Sequence, residues 1–236
     1  MPKVNRLIFD ALPLKRRLAV SDIHGCLETF LALLEGVRLK KKDQLFIVGD
    51  AINRGPNSAG VLDLILSLKE KQYQVFYLRG NHEQIVLKSH KNTIEDRKKL
   101  LKSLKSKNLL KAGEIKAPYL TLLKNTYHYV ELPDYYLVHG GFNLRGTHPF
   151  EDTFSMMNMK RFEGDRERLN QKTVITGHSP TAIGTITNNL QKNKASICID
   201  NGCVNTKKGQ GNLLCLELNS QQIILQKNIE AKKIPL

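Results

Sequence analysis

Acidic, imidazole and guanidinium side chains recur in this chain directly after short apolar runs. Ser21-Asp22-Ile23-His24-Gly25 follows Leu18-Ala19-Val20, and Gly49-Asp50-Ala51-Ile52-Asn53-Arg54-Gly55-Pro56 follows Leu45-Phe46-Ile47-Val48. Arg79-Gly80-Asn81-His82-Glu83, His139-Gly140-Gly141 and Gly177-His178 occupy the same place after three further runs. Hard oxygen donors mixed with imidazoles suit first-row divalent ions, and one carboxylate such as Asp50 can bridge two of them. The rigid fork of Arg54 suits a phosphate. Each residue taken alone has a structural explanation, since an Asp after a strand commonly caps the next helix. Four of the seven histidines, however, share the strand-end position, where open α/β sheets gather their ligands.

The elements that must carry these residues read as strand, loop and helix units. After the first run, Leu27, Phe30, Leu31 and Leu34 recur at helical spacing; after the second, a helix from about Ser58 turns Val61, Leu62, Ile65 and Leu68 inward. A third unit runs from Val75-Phe76-Tyr77-Leu78 into a helix through Ile85 and Leu87. This alternation predicts a parallel sheet in the first half. Residues 1–16 read as an irregular arm around Leu7-Ile8-Phe9. Between 89 and 119 the strand signal stops, and Ile94, Leu100, Leu101 and Leu104 predict one helix face in a cap or insertion. The runs at 195–199, 213–218 and 223–225 predict a second, mostly antiparallel sheet.

With 236 residues, 41% hydrophobic and 25% charged, the chain has the composition of one globular domain, residues 1–236, and not of a disordered or fibrous protein. No run approaches the roughly 20 apolar residues that span a bilayer, so no membrane partner and a cytoplasmic location are expected. Cys26, Cys198, Cys203 and Cys215 form no paired C-x-x-C clusters and read as reduced thiols. Of the net charge of +15, +8 lies in 88–124, where eleven Lys or Arg face Glu95, Asp96 and Glu114. That segment reads as a solvated basic face or as a device for steering acidic substrates.

Asp-x-His-Gly at 22–25, Gly-Asp-x-x-x-Arg-Gly at 49–55, Gly-Asn-His-Glu at 80–83, His-Gly-Gly at 139–141 and Gly-His at 177–178, in this order, resemble the calcineurin-like metallophosphoesterases. More narrowly they look like the bacterial and phage-type phosphoprotein phosphatases, because Pro180 stands where the broader superfamily has a second His. The resemblance implies an α/β fold, a four-layer α/β/β/α sandwich with a helical, lysine-rich insertion. It implies two divalent metal ions, with manganese expected first and iron or zinc as alternatives. Asp22 and His24 would hold one ion, Asp50 would bridge, and Asn81, His139 and His178 would complete the other. Arg54 and Asn81 would bind the substrate phosphate, and His82 would be the catalytic acid. Met156-Met157-Asn158-Met159-Lys160-Arg161-Phe162 looks like a degenerate Leu-Trp-x-Arg motif, which makes Arg161 a second phosphate ligand, with Arg145, Arg166 and Arg168 as competitors.

The implied activity is phosphomonoester hydrolysis by in-line attack of a metal-bridging hydroxide, with phosphoserine or phosphothreonine in proteins as first substrate. The alternative is a symmetrical dinucleoside polyphosphate hydrolase acting on diadenosine tetraphosphate. A more distant one is a non-catalytic nucleic-acid-binding protein, disfavoured by an aromatic content of 6% with no basic and aromatic interleaving. One departure from the family pattern concerns catalysis: Asn53 stands where a second Asp is expected. Asn53 is expected to accept a hydrogen bond from His82 through its amide oxygen without stabilising an imidazolium. Poor leaving groups should then react slowly. His90, His128 and His148 read as surface or loop residues, and the Asp200-Asn201-Gly202-Cys203 turn as part of the rim.

Overall fold

The structure, a computed structural model, describes residues 3–11 and 15–230. In chain order it contains β1 (Arg6–Ile8), β2 (Arg17–Val20), α1 (Leu27–Gly36), β3 (Gln44–Ile47), α2 (Ser58–Glu70), β4 (Gln74–Tyr77) and α3 (Asn81–Ser89). There follow α4 (Ile94–Ser103), β5 (Leu110–Lys111), β6 (Glu114–Ile115), α5 (Ala117–Lys124), β7 (Tyr129–Glu131), β8 (Tyr135–Val138) and α6 (Thr153–Asn158). The chain ends with β9 (Thr173–Thr176), α7 (Ile183–Gln191), β10 (Ser196–Cys198), β11 (Asn212–Glu217) and β12 (Gln222–Lys227).

Two five-stranded sheets, ordered β12-β11-β2-β3-β4 and β1-β7-β8-β9-β10, lie face to face. The two-residue period of a strand builds the layers. Leu18, Val20, Leu45 and Ile47 face outward onto Phe30, Leu33, Val61 and Leu62 of α1 and α2. Their neighbours Ala19, Phe46 and Val48 face inward, onto Leu137, Ile175 and Ile197 of the other sheet. Tyr136, Val138 and Val174 then turn to the far side, against Met156 of α6 and Phe142. Helix, sheet, sheet, helix is the layering, as the motifs imply.

Several local expectations are corrected. The N-terminal arm is not wholly irregular, because β1 adds a parallel edge strand to β7. It is tied there by Asn5, whose N–H donates to His128 Nδ1 at 2.9 Å and whose carbonyl accepts from the His128 N–H at 2.7 Å. His128, a loop residue just before β7 as expected, is buried, whereas His90 and His148 are exposed. The three late runs do not share one sheet: β10 joins β9 in parallel, while β11 pairs antiparallel with β2 and β12. The segment 89–119 holds the β5–β6 hairpin besides its helices. Of its expected apolar face only Leu101 is buried, and Ile94 is 46% exposed. The segment is organised instead by buried Arg97, which donates to the carbonyls of Ser89, His90, Asn92 and Gly113 and pairs with Glu114 at 2.7 Å.

At the N-terminal ends of the strands, Arg17 of β2 meets Asp134, just before β8, through two hydrogen bonds of 2.6 and 2.8 Å. This bidentate pair joins one sheet to the other. The four thiols are free, and Cys26, Cys203 and Cys215 are buried.

Candidate active site

The opposite, C-terminal edge of both sheets carries the chemistry. Turns after β2 and β3 and the start of α3 bring Asp22, His24, Asp50 and Asn81 from one sheet; the ends of β8 and β9 bring His139 and His178 from the other. Asp50 Oδ2 sits at the centre, 3.3 Å from His139 Nε2, 3.9 Å from His82 Nε2 and 4.0 Å from His24 Nε2. Asp22 Oδ1 is 3.7 Å from His24 Nε2, and Asn81 Oδ1 is 3.3 Å from His139 Nε2. Two groups of side chains could each hold a metal ion: His24, Asp50 and His82, and Asp50, His139 and His178. All of these side chains except Asn81 and His178 are fully buried.

Local backbone strain accompanies this convergence. Asp22, His24, Asp50, Asn53, Arg54, Arg161 and His178 all have φ between 49° and 70°, the left-handed region that non-glycine residues seldom adopt. The first two turns hold each other there: Asp22 N–H donates to Gly49 O, His24 N–H to Asp50 O, and Gly55 N–H back to His24 O. Gly80 has no room for a side chain, since a Cβ would run into the Asp50 carboxylate. Glu83, quoted in the motif but given no role there, is completely buried. Its carboxylate accepts from the N–H groups of Asp50, Ala51 and Gly80 at 2.8–3.0 Å and from the Tyr77 hydroxyl at 2.8 Å. A buried acid bonded to three backbone donors is a turn anchor, and its place in the Gly-Asn-His-Glu motif was the available signal.

The histidines are oriented as ligands would be. His24 Nδ1 lies 3.2 Å from Ile52 O and His139 Nδ1 2.8 Å from Val48 O. A carbonyl only accepts, so each Nδ1 carries its proton; neutral His24 therefore presents the lone pair of Nε2 to the cluster, and His139 does so once it gives up the second proton that Asp50 holds on it. His178 bonds the Asn158 carbonyl and leaves a buried Nε2 with no partner. An unsatisfied buried nitrogen costs free energy unless something binds it, and a divalent ion beside Asp50 is the partner its chemistry fits. Burial lowers the pKa of His24 to about 3 and of His178 to about 4, which keeps both neutral. Burial also raises Asp22, to about 6. His139 is the exception. Burial opposes its charge, but Asp50 raises it to about 10, and His139 in turn holds Asp50 below the usual carboxylate range.

His82 differs. Asn53 Nδ2 lies 2.9 Å from His82 Nδ1 and also 3.4 Å from the His82 carbonyl oxygen, which can only accept. The amide therefore presents its nitrogen and donates, and the expected acceptance through its oxygen is corrected; Asn53 Oδ1 is buried without a partner. A donor on Nδ1 puts the proton on Nε2, so, although His82 lies within reach of an ion beside His24 and Asp50, in this arrangement its ring faces the cluster as a neutral donor. Burial is the largest influence on His82 and lowers its pKa, with Asp50 opposing and Arg54 adding to the fall.

Arg54 is exposed, and its charge lies close enough to lower the pKa of both His24 and His82. Arg161 is exposed too, and its N–H donates to Ser179 Oγ, next to His178. It lines a cavity of about 480 Å³ with Gly140 and Gly177, the neighbours of His139 and His178. Of its competitors, Arg166 is engaged by Asn193 and Arg168 by the Gly146 carbonyl, whereas Arg145 is exposed. Asp200 is buried and accepts from Gly202 N–H at 2.7 Å, inside the rim.

A sandwich of two sheets whose facing strand ends gather aspartates, an asparagine and histidines around one central carboxylate is a metallophosphoesterase architecture. The chain belongs to the calcineurin-like phosphoesterase family, whose model matches residues 15–206. It is similar to the symmetrical bis(5'-nucleosyl)-tetraphosphatase of Buchnera aphidicola subsp. Acyrthosiphon pisum (strain APS), 43% identical over 81 residues, 34% of this chain and 28% of that one. The enzyme of the same name from Psychromonas ingrahamii is 40% identical over 79 residues, 33% of this chain and 28% of that one. The chain thus spans little more than a quarter of the length of these curated relatives. Solved structures align over nearly the whole chain. That of a candidate diadenosine tetraphosphatase has a TM-score of 0.69 at 22% identity, covering 97% of this chain and 100% of the other. A Saccharomyces cerevisiae protein serine/threonine phosphatase with similarity to human PP5 has 0.64 at 16%, covering 98% and 85%. At such identities the likeness is one of fold. No helix among the described residues is long and apolar enough to cross a membrane.

Proposed function

We propose that the chain hydrolyses the phosphoanhydride of dinucleoside polyphosphates, splitting the tetraphosphate symmetrically. The observation that carries this reading is the hydrogen bond from Asn53 to His82 Nδ1. A serine or threonine alkoxide, about as basic as hydroxide, needs a strong acid as it departs; its conjugate acid has a pKa near that of water, about 16. A nucleoside diphosphate leaves as a phosphate whose last pKa is about 6, and needs no full proton transfer. With Asn53 in place of a carboxylate, no charge lies behind His82 to support an imidazolium. The site is then matched to an anhydride more than to an alkyl ester, in agreement with the names of the relatives above.

In this reading Asp22, His24 and Asp50 would hold one divalent ion, and Asp50, Asn81, His139 and His178 the other. Bound there, the ions supply charge neutralisation and an activated water. Arg54 and Arg161 take up phosphoryl oxygens. His82 donates its Nε2–H to the oxygen of the departing phosphate, Asn53 holds the proton on that nitrogen, and Glu83 fixes the turn that presents Asp50. Manganese is the first ion to test, then iron and zinc.

The test is a parallel measurement of kcat/KM on diadenosine tetraphosphate and on a phosphoserine peptide, with metal-reconstituted protein and Asp50→Asn as blank. The expected outcome favours the dinucleotide by about tenfold or more, a barrier difference of about 1.4 kcal/mol, with ADP as the nucleotide product. Preference for the phosphopeptide would return the protein-phosphatase reading and overturn this one.

A further inference from the structure

The outer side of the second sheet is not closed evenly. Along β9 and β10, Ile175 and Ile197 face inward, so Thr176, Ser196 and Cys198 alternate to the outer side. On β8 that side is apolar and packed under Met156 and Phe142. At the ends of β9 and β10 it is polar, and it forms part of the cavity of about 480 Å³ that Arg161 lines.

This cavity adjoins the candidate metal ligands and has fixed walls. Gly140 and Gly177, which line it, precede or follow His139 and His178 directly in the chain, and Gly177 N–H donates to the His139 carbonyl at 2.9 Å. Ser196 Oγ donates to the Phe162 carbonyl at 3.0 Å and accepts the Gly164 N–H at 2.9 Å, which ties one wall to β10. Gly164 has no room for a side chain there, since a Cβ would lie 2.7 Å from the Ala195 carbonyl oxygen. The Cys198 thiol lies 3.2 Å from the carbonyls of Gly177 and Ser179, and the Thr181 hydroxyl donates to Ser179 O at 2.7 Å. The polar groups of the floor are thus spent on holding the walls. Those of Arg161, Glu163, Thr185, Asn189 and Lys194 also line the cavity, and among the described residues their side chains enter no hydrogen bond or ion pair.

We propose that this cavity is a nucleoside subsite, which takes the base and ribose of a nucleoside diphosphate whose phosphates lie on the metal cluster and Arg161. This rests on the dinucleotide reading above. The volume falls within the range of small-molecule pockets, roughly 300–1,000 Å³. The Asn189 amide offers a donor and an acceptor to a base edge, and the Glu163 carboxylate accepts from ribose hydroxyls. With Glu163 set against Arg161 and Lys194, the lining is only weakly basic, which suits base and sugar better than a further run of phosphates.

The test titrates ADP and inorganic pyrophosphate into manganese-loaded protein by calorimetry. Wild type binds ADP about tenfold or more tightly than pyrophosphate, the excess reporting the nucleoside. Asn189→Ala narrows that ratio by about three- to tenfold, the scale of one hydrogen bond. Thr185→Trp, whose indole takes up part of the cavity, brings it close to one. Alanine favours a helix interior, so Asn189→Ala melts no lower than wild type and its loss of selectivity cannot come from unfolding. Equal affinity of wild type for ADP and pyrophosphate, or a ratio unchanged in both variants, overturns the subsite. Failure of wild type to cleave diadenosine tetraphosphate overturns the substrate reading instead, and the ratio of ADP to pyrophosphate binding still decides the cavity.

Discussion

In the proposed reading, Asn53 is the residue on which the choice of leaving group turns. Its amide donates to His82 and carries no charge, so restoring a carboxylate should turn a neutral donor into a stronger acid. Asn53→Asp is expected to raise kcat/KM on an alkyl phosphate by about ten- to a hundredfold, within the range of general acid catalysis. The rate on the dinucleotide should change little, and steady-state assays of both substrates check the contrast. Glu83→Gln reads the other support of the site. An amide cannot accept from three backbone N–H groups and a phenol as a carboxylate does, so a loss of about 2–4 kcal/mol is expected in urea unfolding. The candidate metal ligands could be picked out in the sequence because they fall in short groups directly after successive strands. The direction of the Asn53 bond was not, since an amide can offer either end and only the His82 carbonyl in three dimensions decides between them.

At the scale of elements, the N-terminal strand hangs on one imidazole. His128 accepts the Asn5 N–H on Nδ1, and burial, reinforced by nearby Arg79, lowers its pKa to about 4. The folded pKa lies below the unfolded one of about 6.5. His128 therefore contributes stability that is fully present above pH 6.5 and is lost as pH falls toward 4. Hydrogen exchange at residues 5–9 should accelerate across that window in wild type and not in His128→Asn, whose amide oxygen can accept the same bond without titrating. The first three strand, turn and helix units were readable because their periodicity is local. β1 was not, being three residues long and paired with a strand more than a hundred residues away. Nor was the placement of β10, which depends on α7 crossing over from β9; the spacing of Ile183, Ile186 and Leu190 was the helical signal available there.

At the scale of the molecule, the candidate ligands come from both sheets. An ion in the second group would be held by Asp50 from one sheet and by His139 and His178 from the other. Metal binding should therefore stabilise the whole sandwich and not one loop. The expected gain is about 2.7 kcal/mol at free metal a hundredfold above Kd, seen as a fall in Tm when a chelator is added. The Asp50→Asn protein should lose most of that metal response. The basic charge does not alter this architecture, because its densest part is the insertion, folded around Arg97 and set against the rim. At the far end of the strands, Arg17 and Asp134 hold the same two sheets together. Seen mechanically, the sandwich is a pair of tongs with its fulcrum at Arg17 and its grip at Asp50. Loosening the fulcrum should be felt at the tips: Arg17→Met is expected to release metal to a competing chelator faster than wild type, although the mutated side chain lies at the opposite end of the strands from the ligands.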